Sequence, residues 1–179
     1  GSEMCIRDRD HSEGREMTAN ILPSASAEKH YPIAFNLIPQ IDVFCDNLYT
    51  KEEMKMVNET KKIMEDYEMR ITATTIRVPV YRSHSESVNI ELEKEVDLGA
   101  MREALAKFPG VTVQDDPSKQ EYPMPLYTSE KDDVYVGRLR RDESCEKSYN
   151  IWVVGDQIRK GAALNTLQIA ETMIKNGWI

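Results

Sequence analysis

Residues 71–91 change their hydrophobic rhythm once, and the change divides them into two predicted strands. Residues 71–80, ITATTIRVPV, are a β-branched run, and branched side chains suit a pleated surface. Further on, Val88, Ile90 and Leu92 alternate with Ser87, Asn89, Glu91 and Glu93, the period-two pattern of a half-buried strand. Tyr81 to Ser85 lie between them, short enough for a hairpin loop. Pro79 has no N–H for a ladder bond, so the first strand is expected to end there or to lie on an edge.

Upstream, residues 31–46 read as an extended segment bent at Pro39. Thr50 and Glu53 have capping-box spacing and predict a helix running to about Glu65. Met54, Val57, Ile63 and Met64 fall on its broad apolar side, and Glu59 and Lys62 on the opposite one. A second helix starts near Asp97; Leu98, Met101, Leu105 and Phe108 form a core stripe, and Pro109-Gly110 ends it. Residues 111–113 read as a short strand and residues 115–126 as a polar, proline-rich loop, with Asp115-Asp116 a solvated turn rather than a metal site. Strands follow over residues 133–141 and 149–154, the latter nearly all apolar and expected to be buried on both faces.

After a turn at Gly155, Asp156 and Gln157, a long helix is predicted over residues 158–176. Two neighbouring apolar lines, one through Ile158, Ala162, Ile169 and Met173 and one through Ala163, Leu167, Ala170 and Ile174, suggest more than one packing partner. Gly177 is a natural stop.

Length and charge narrow the function classes. The 179 residues suffice for one domain with a sizeable core, and a net charge of -8 argues against a nucleic-acid partner. Cys5, Cys45 and Cys145 have no CxxC spacing and no disulfide framework, which suits a reducing, cytoplasmic setting. His11, His30 and His84 are too scattered for zinc, and no metal site is expected. No apolar run approaches the ~18 residues of a membrane span. Residues 1–16 are charged and aperiodic; Gly1-Ser2 resembles a tag scar and MCIRDR a translated adapter, so a non-native leader is expected, with a native disordered terminus as the alternative.

Candidate chemistry centres on Arg77 and His84. A guanidinium at a strand end and an imidazole in the adjoining loop suit an anionic substrate that needs a proton moved. The residues alone favour a plainer reading, an ion-paired edge arginine and a solvated histidine, since structural ion pairs are commoner than active sites. Glu59 and Lys62 alone read as a surface ion pair, Gln157 as a helix cap, and Cys145, among Asp142, Glu143 and Glu146, as no nucleophile.

The string TxxRVPVxRSHSExVNIE resembles the substrate-domain signature of the aspartate-semialdehyde dehydrogenase family, and YPIAFNLIPQID, NETKK and GDQIRKGAALNTLQIAE resemble further family segments. The resemblance runs from about Ile21 to the C-terminus. It implies that Arg77 grips the substrate α-carboxylate and that His84 is the acid/base serving a catalytic cysteine. It also implies that Glu59 holds substrate, that Lys62 meets phosphate and that Gln157 contacts the nicotinamide cofactor. The family reaction is the reversible, NADPH-dependent reduction of aspartyl-4-phosphate to aspartate 4-semialdehyde with release of phosphate, a step toward lysine, methionine and threonine. A homodimer is implied as well.

The implied architecture is an α/β fold of the α+β type, shared with the C-terminal domain of glyceraldehyde-3-phosphate dehydrogenase. Its mixed, largely antiparallel sheet carries helices on one face and is followed by a long C-terminal helix. The expected organisation is a leader over residues 1–16, a substrate-binding and dimerisation domain over residues 17–156, and a helix over residues 157–179 that packs on a cofactor domain. The sequence departs from the family pattern. It shows no Gly-rich phosphate loop, and neither Cys45 nor Cys145 stands in an Asn-Cys-Ser/Thr-Thr setting. The chain by itself is therefore expected to be inactive. The alternative is a catalytically silent homologue serving as a dimerisation or interaction module; an acetylglutamyl-phosphate reductase fits the RVPVxRSHSE string less well.

Overall fold

The computed structural model describes Asn20–Ile21 and residues 28–179. The leader expected over residues 1–16, with Cys5 and His11, lies outside the described residues. By internal contacts the chain divides into Gly1–Tyr81 and Arg82–Ile179.

In the first unit, β1 (Asn20–Ile21) and β2 (Tyr31–Pro32) form a two-stranded antiparallel pair. Helix α1 (Lys51–Ile63) follows, and its start is the predicted capping box. The Glu53 N–H donates to the Thr50 hydroxyl at 3.3 Å, and the Thr50 N–H donates to Glu53 Oε2 at 2.8 Å. The helix stops at Ile63 rather than near Glu65, and Ile63 and Met64 are exposed rather than packed.

The strand expected over residues 71–80 does not form. Among the described residues this stretch has one isolated antiparallel bridge, Arg77 to Ile38, with mutual N–H to carbonyl bonds of 2.9 and 3.1 Å. The cause lies in the partners. The Thr75 N–H is taken by the Glu53 carboxylate at 2.9 Å rather than by a neighbouring strand, and Pro79 has no N–H to give.

In the second unit, β3 (His84–Glu91) is followed by α2 (Leu98–Lys107), β4 (Val111–Val113), the short helix α3 (Pro125–Thr128), β5 (Val134–Arg141) and β6 (Ser148–Gly155). The chain ends in a π-helical turn (Arg159–Ala163) that continues as α4 (Leu164–Lys175). The sheet order is β3-β6-β5-β4; β4 and β5 are parallel and the other two pairings antiparallel. This is the expected mixed, largely antiparallel sheet.

The expected hairpin is absent, because β3 pairs along its whole length with β6, from His84 opposite Gly155 to Glu91 opposite Ser148. Alternation along β3 puts Ile90 against the core as its period predicts, but the partner is β6, and His84 and Ser85, expected in the loop, are the first residues of the strand.

The core sits between the sheet and α2. Met101, Val136, Leu139 and Tyr149 are buried there, with Ile90, Leu105, Ile151 and Val153 packed against them. Tyr149 is wholly buried, yet its hydroxyl is satisfied: it donates to the Val96 carbonyl and accepts from the Val96 N–H, both at 2.7 Å. Strand β6 is less buried than predicted; Tyr149 and Val154 are fully covered, whereas Ile151, Trp152 and Val153 are intermediate.

The opposite face of the sheet is crossed by the loop after β4. That crossing needs Gly137: a Cβ there would lie 2.2 Å from the Gln114 carbonyl oxygen and 2.7 Å from Pro123 Cδ. The Trp152 indole N–H fastens the same loop by donating to the Pro123 carbonyl at 2.9 Å. Asp115 is not the solvated residue expected. Its buried carboxylate pairs with Arg102 at 2.8 Å and accepts the Arg138 N–H at 2.6 Å, at the bulge where the β5–β6 register shifts. Gly177 closes α4 with φ +67, as its sequence position suggested.

Candidate functional site

His84 opens β3, one of the two edge strands of the sheet, and its side chain is exposed. Its backbone lies opposite Gly155, so it sits where β6 runs out into the turn carrying Asp156 and Gln157. An exposed imidazole at a strand end can exchange protons with solvent and with a ligand.

The residue before it, Ser83, is buried and has φ +73, the left-handed region that costs a non-glycine residue about 1–2 kcal/mol. Three side chains hold it there. The Ser83 N–H donates to Gln157 Oε1 at 2.8 Å. The Thr128 hydroxyl, on a residue only 1% exposed, donates to the Ser83 hydroxyl at 3.1 Å. Ser129 donates to the Pro125 carbonyl at 2.7 Å, which leaves Ser83 as donor in the 3.3 Å contact to the Ser129 oxygen. His84 and Gln157 are thus tied together through Ser83.

Asp156 stands behind this arrangement and is wholly buried. Its Oδ1 accepts the N–H groups of Ile158 and Arg159 at 2.8 and 3.2 Å, and its Oδ2 accepts that of Glu130 at 2.7 Å. The Arg82 guanidinium lies 3.2 Å from Oδ2 and also reaches Glu130 at 2.8 Å. Burial works against the Asp156 charge, but the three N–H groups and the guanidinium outweigh it and hold the carboxyl below the usual aspartate range.

The Gln157 amide nitrogen has no hydrogen-bond partner among the described residues, so its two N–H bonds remain for a ligand. With Oε1 fixed by Ser83, this donor suits a carboxamide or another carbonyl acceptor, as a nicotinamide ring carries.

The other three residues predicted for the site belong to the first unit. Arg77 is half-buried with its backbone bridged to Ile38. Glu59 and Lys62 are exposed on α1. The ion pair that their spacing suggested is not formed; among the described residues neither side chain has a partner, which leaves both charges available. The described residues contain no cluster of three or more metal-ligating side chains. No described helix is long and apolar enough to cross a membrane.

Sequence reasoning missed Ser83, Thr128, Arg82 and Asp156. The left-handed backbone at a serine leaves no composition signal, and Asp156 read as an ordinary turn residue until its buried partners were visible.

Residues 9–160 match the family described as semialdehyde dehydrogenase, dimerisation domain. Over 167 residues the chain is 49% identical to the aspartate-semialdehyde dehydrogenase of Aquifex aeolicus, covering 93% of the chain and 47% of that protein. Over 161 residues it is 50% identical to the Bacillus subtilis enzyme of the same name, covering 89% of the chain and 46% of that protein. The crystal structure of aspartate semialdehyde dehydrogenase II complexed with ASA from Vibrio cholerae superposes with a TM-score of 0.77 at 43% identity. That match covers 81% of this chain and 43% of the other. The chain therefore spans about half the length of the curated relatives it matches.

Proposed function

The chain belongs to the semialdehyde dehydrogenase dimerisation-domain family, and from that premise we propose that it is the substrate-binding and dimerisation part of an aspartate-semialdehyde dehydrogenase. The activity is the reversible reduction of aspartyl-4-phosphate to aspartate 4-semialdehyde with release of phosphate. The observation that carries this reading is the tie between the His84 segment and the Gln157 turn. It gives a candidate acid/base and a candidate cofactor contact one common support.

In this reading His84 moves the proton of a cysteine thiol and of the reacting carbonyl oxygen. Arg77 clamps the substrate α-carboxylate with its planar fork, for which lysine is a poor substitute. Glu59 accepts from the substrate ammonium group, and Lys62 offers a point charge to the phosphate. Gln157 would hold the cofactor by donating its amide N–H to the carboxamide. NADPH, once bound, would supply the hydride for the reduction. The nucleophilic cysteine and the dinucleotide-binding half belong to a part of the enzyme that this chain does not carry; neither Cys45 nor Cys145 has the local sequence of the family nucleophile. The helix over residues 157–179 packs on that half, two copies of the substrate domain form the dimer, and the enzyme works in the cytoplasm.

The test is an assay of the purified chain with aspartate semialdehyde, phosphate and NADP, alone and mixed with a separately expressed cofactor half from the Aquifex aeolicus relative. No turnover alone and turnover in the mixture support the reading. Turnover by the chain alone refutes the division of labour. A soluble mixed complex without turnover favours the silent dimerisation module.

A further inference from the structure

Resting on the reading that His84 handles a proton and Gln157 meets the cofactor, we infer that Gln157 is also a positioning residue for His84, acting through the backbone of Ser83. The left-handed turn at Ser83 sets where β3 begins, and therefore the direction in which the next side chain, His84, leaves the chain. A serine does not keep φ at +73 by its own preference. The conformation persists because its surroundings determine it. Gln157 Oε1 accepts the N–H at 2.8 Å, the Thr128 hydroxyl donates to the Ser83 hydroxyl, and the Ser129 oxygen accepts from it.

The segment is joined to the end of β6 at three successive residues. His84 is opposite Gly155 in the sheet, Ser83 bonds Gln157, and Arg82 pairs with Asp156. Two of these ties use buried or half-buried polar groups, where a lost partner leaves an unsatisfied donor. Gln157 is in turn held by its neighbour: the Asp156 carboxylate fixes the N–H groups of Ile158 and Arg159, so the turn cannot swing away with the glutamine. The glutamine oxygen thus serves His84 while its amide nitrogen stays available, and one side chain carries both tasks.

The test compares Gln157→Met, which keeps the length and removes the acceptor, with Gln157→Glu, which restores an acceptor oxygen. The isotopically labelled chain is followed by NMR through the exchange rate of the Ser83 amide and the ring resonances of His84. Gln157→Met should raise Ser83 exchange at least tenfold and shift the His84 ring signals, with the Val136 amide in β5 as protected as before. Gln157→Glu should return both readings toward the parent values. Unchanged Ser83 exchange and His84 signals in Gln157→Met would overturn the inference, as would failure of Gln157→Glu to restore them while Val136 stays protected. Neither reading involves turnover. Failure of the dehydrogenase assay would therefore leave this inference standing, and unchanged NMR signals would leave the assay result standing.

Discussion

Arg82 reaches the wholly buried carboxylate of Asp156 across 3.2 Å, and the pair stands directly behind Ser83 and Gln157. The carboxylate accepts three backbone N–H groups besides the guanidinium. Removing it therefore strands donors rather than deleting a single contact. Asp156→Ala should cost about 3 kcal/mol or more, in the range for breaking a buried pair from one side. Arg82→Met, which removes the charge while the three N–H groups keep their acceptor, should cost less. Urea denaturation of the two variants checks the order; an equal or larger loss for Arg82→Met would contradict it.

The same carboxylate predicts an acid limb in the stability curve. Both Asp156 and Glu53 have carboxyls lowered below their ordinary values: burial opposes each charge, and backbone N–H groups outweigh it. A folded-state value below the unfolded one means that the stabilisation is complete above the unfolded value. It is then lost as pH falls through the folded one. Unfolding free energy should be level from about pH 7 down to about pH 5 and fall below about pH 4, near the ordinary carboxylate range. Asp156→Asn should flatten that limb. An unchanged acid slope in this variant would show that other carboxylates dominate.

Periodicity located α2, β4, β5 and β6 within a residue or two, because each buries one face against the same core and that requirement is written into the spacing; β3 starts at His84, about three residues earlier than its alternation shows. Pairing was not legible in the same way. Residues 71–80 have strand composition, but a strand needs a neighbour, and the Glu53 carboxylate takes the Thr75 N–H instead. His84, Arg77, Glu59, Lys62 and Gln157 are candidates that local motifs single out. Ser83 and Asp156 are not, since their parts depend on a left-handed φ and on burial, neither of which a single chain spells out.

Gly137 tests the crossing of the sheet by the loop after β4. An added methyl would meet the Gln114 carbonyl oxygen, which belongs to the backbone and cannot rotate away. Gly137→Ala should destabilise by about 1–3 kcal/mol, as overpacking does. The loop should also lift from Trp152, whose indole N–H holds Pro123. A red shift in tryptophan emission accompanying the lower melting temperature would report that movement; an unshifted spectrum with full stability would show that the loop accommodates the methyl.

Thr50 and Glu53 carry more than a helix cap. Glu53, 7% exposed, accepts from Thr50 at the start of α1 and from Thr75 in the extended segment that leads to Arg77. Thr50→Ala removes one capping bond and should cost about 1 kcal/mol. Glu53→Ala removes the cap and also frees the Thr75 N–H, so it should cost more and loosen the Arg77 segment. Amide exchange at Thr75 distinguishes the two: fast in Glu53→Ala and near the parent rate in Thr50→Ala.

The last helix tests the proposed contact with a cofactor half. In α4 and just beyond it, Leu167, Ile174 and Trp178 are 62%, 64% and 69% exposed, and no α4 residue is buried. At about 25 cal/mol per Å² of apolar surface, a helix covered on that face would lose a few kcal/mol when two large side chains were charged. Exposed as it is, the double variant Leu167→Glu, Ile174→Lys should stay within about 0.5 kcal/mol per site of the parent. The variant should also scatter less light at high concentration, because an uncovered apolar face promotes association. In the mixture with a cofactor half, the same substitutions should abolish complex formation, since that half is the proposed cover for this face. A large stability loss in the isolated chain would mean that the helix already packs on its own unit, and the proposed contact with a cofactor half would fall with it.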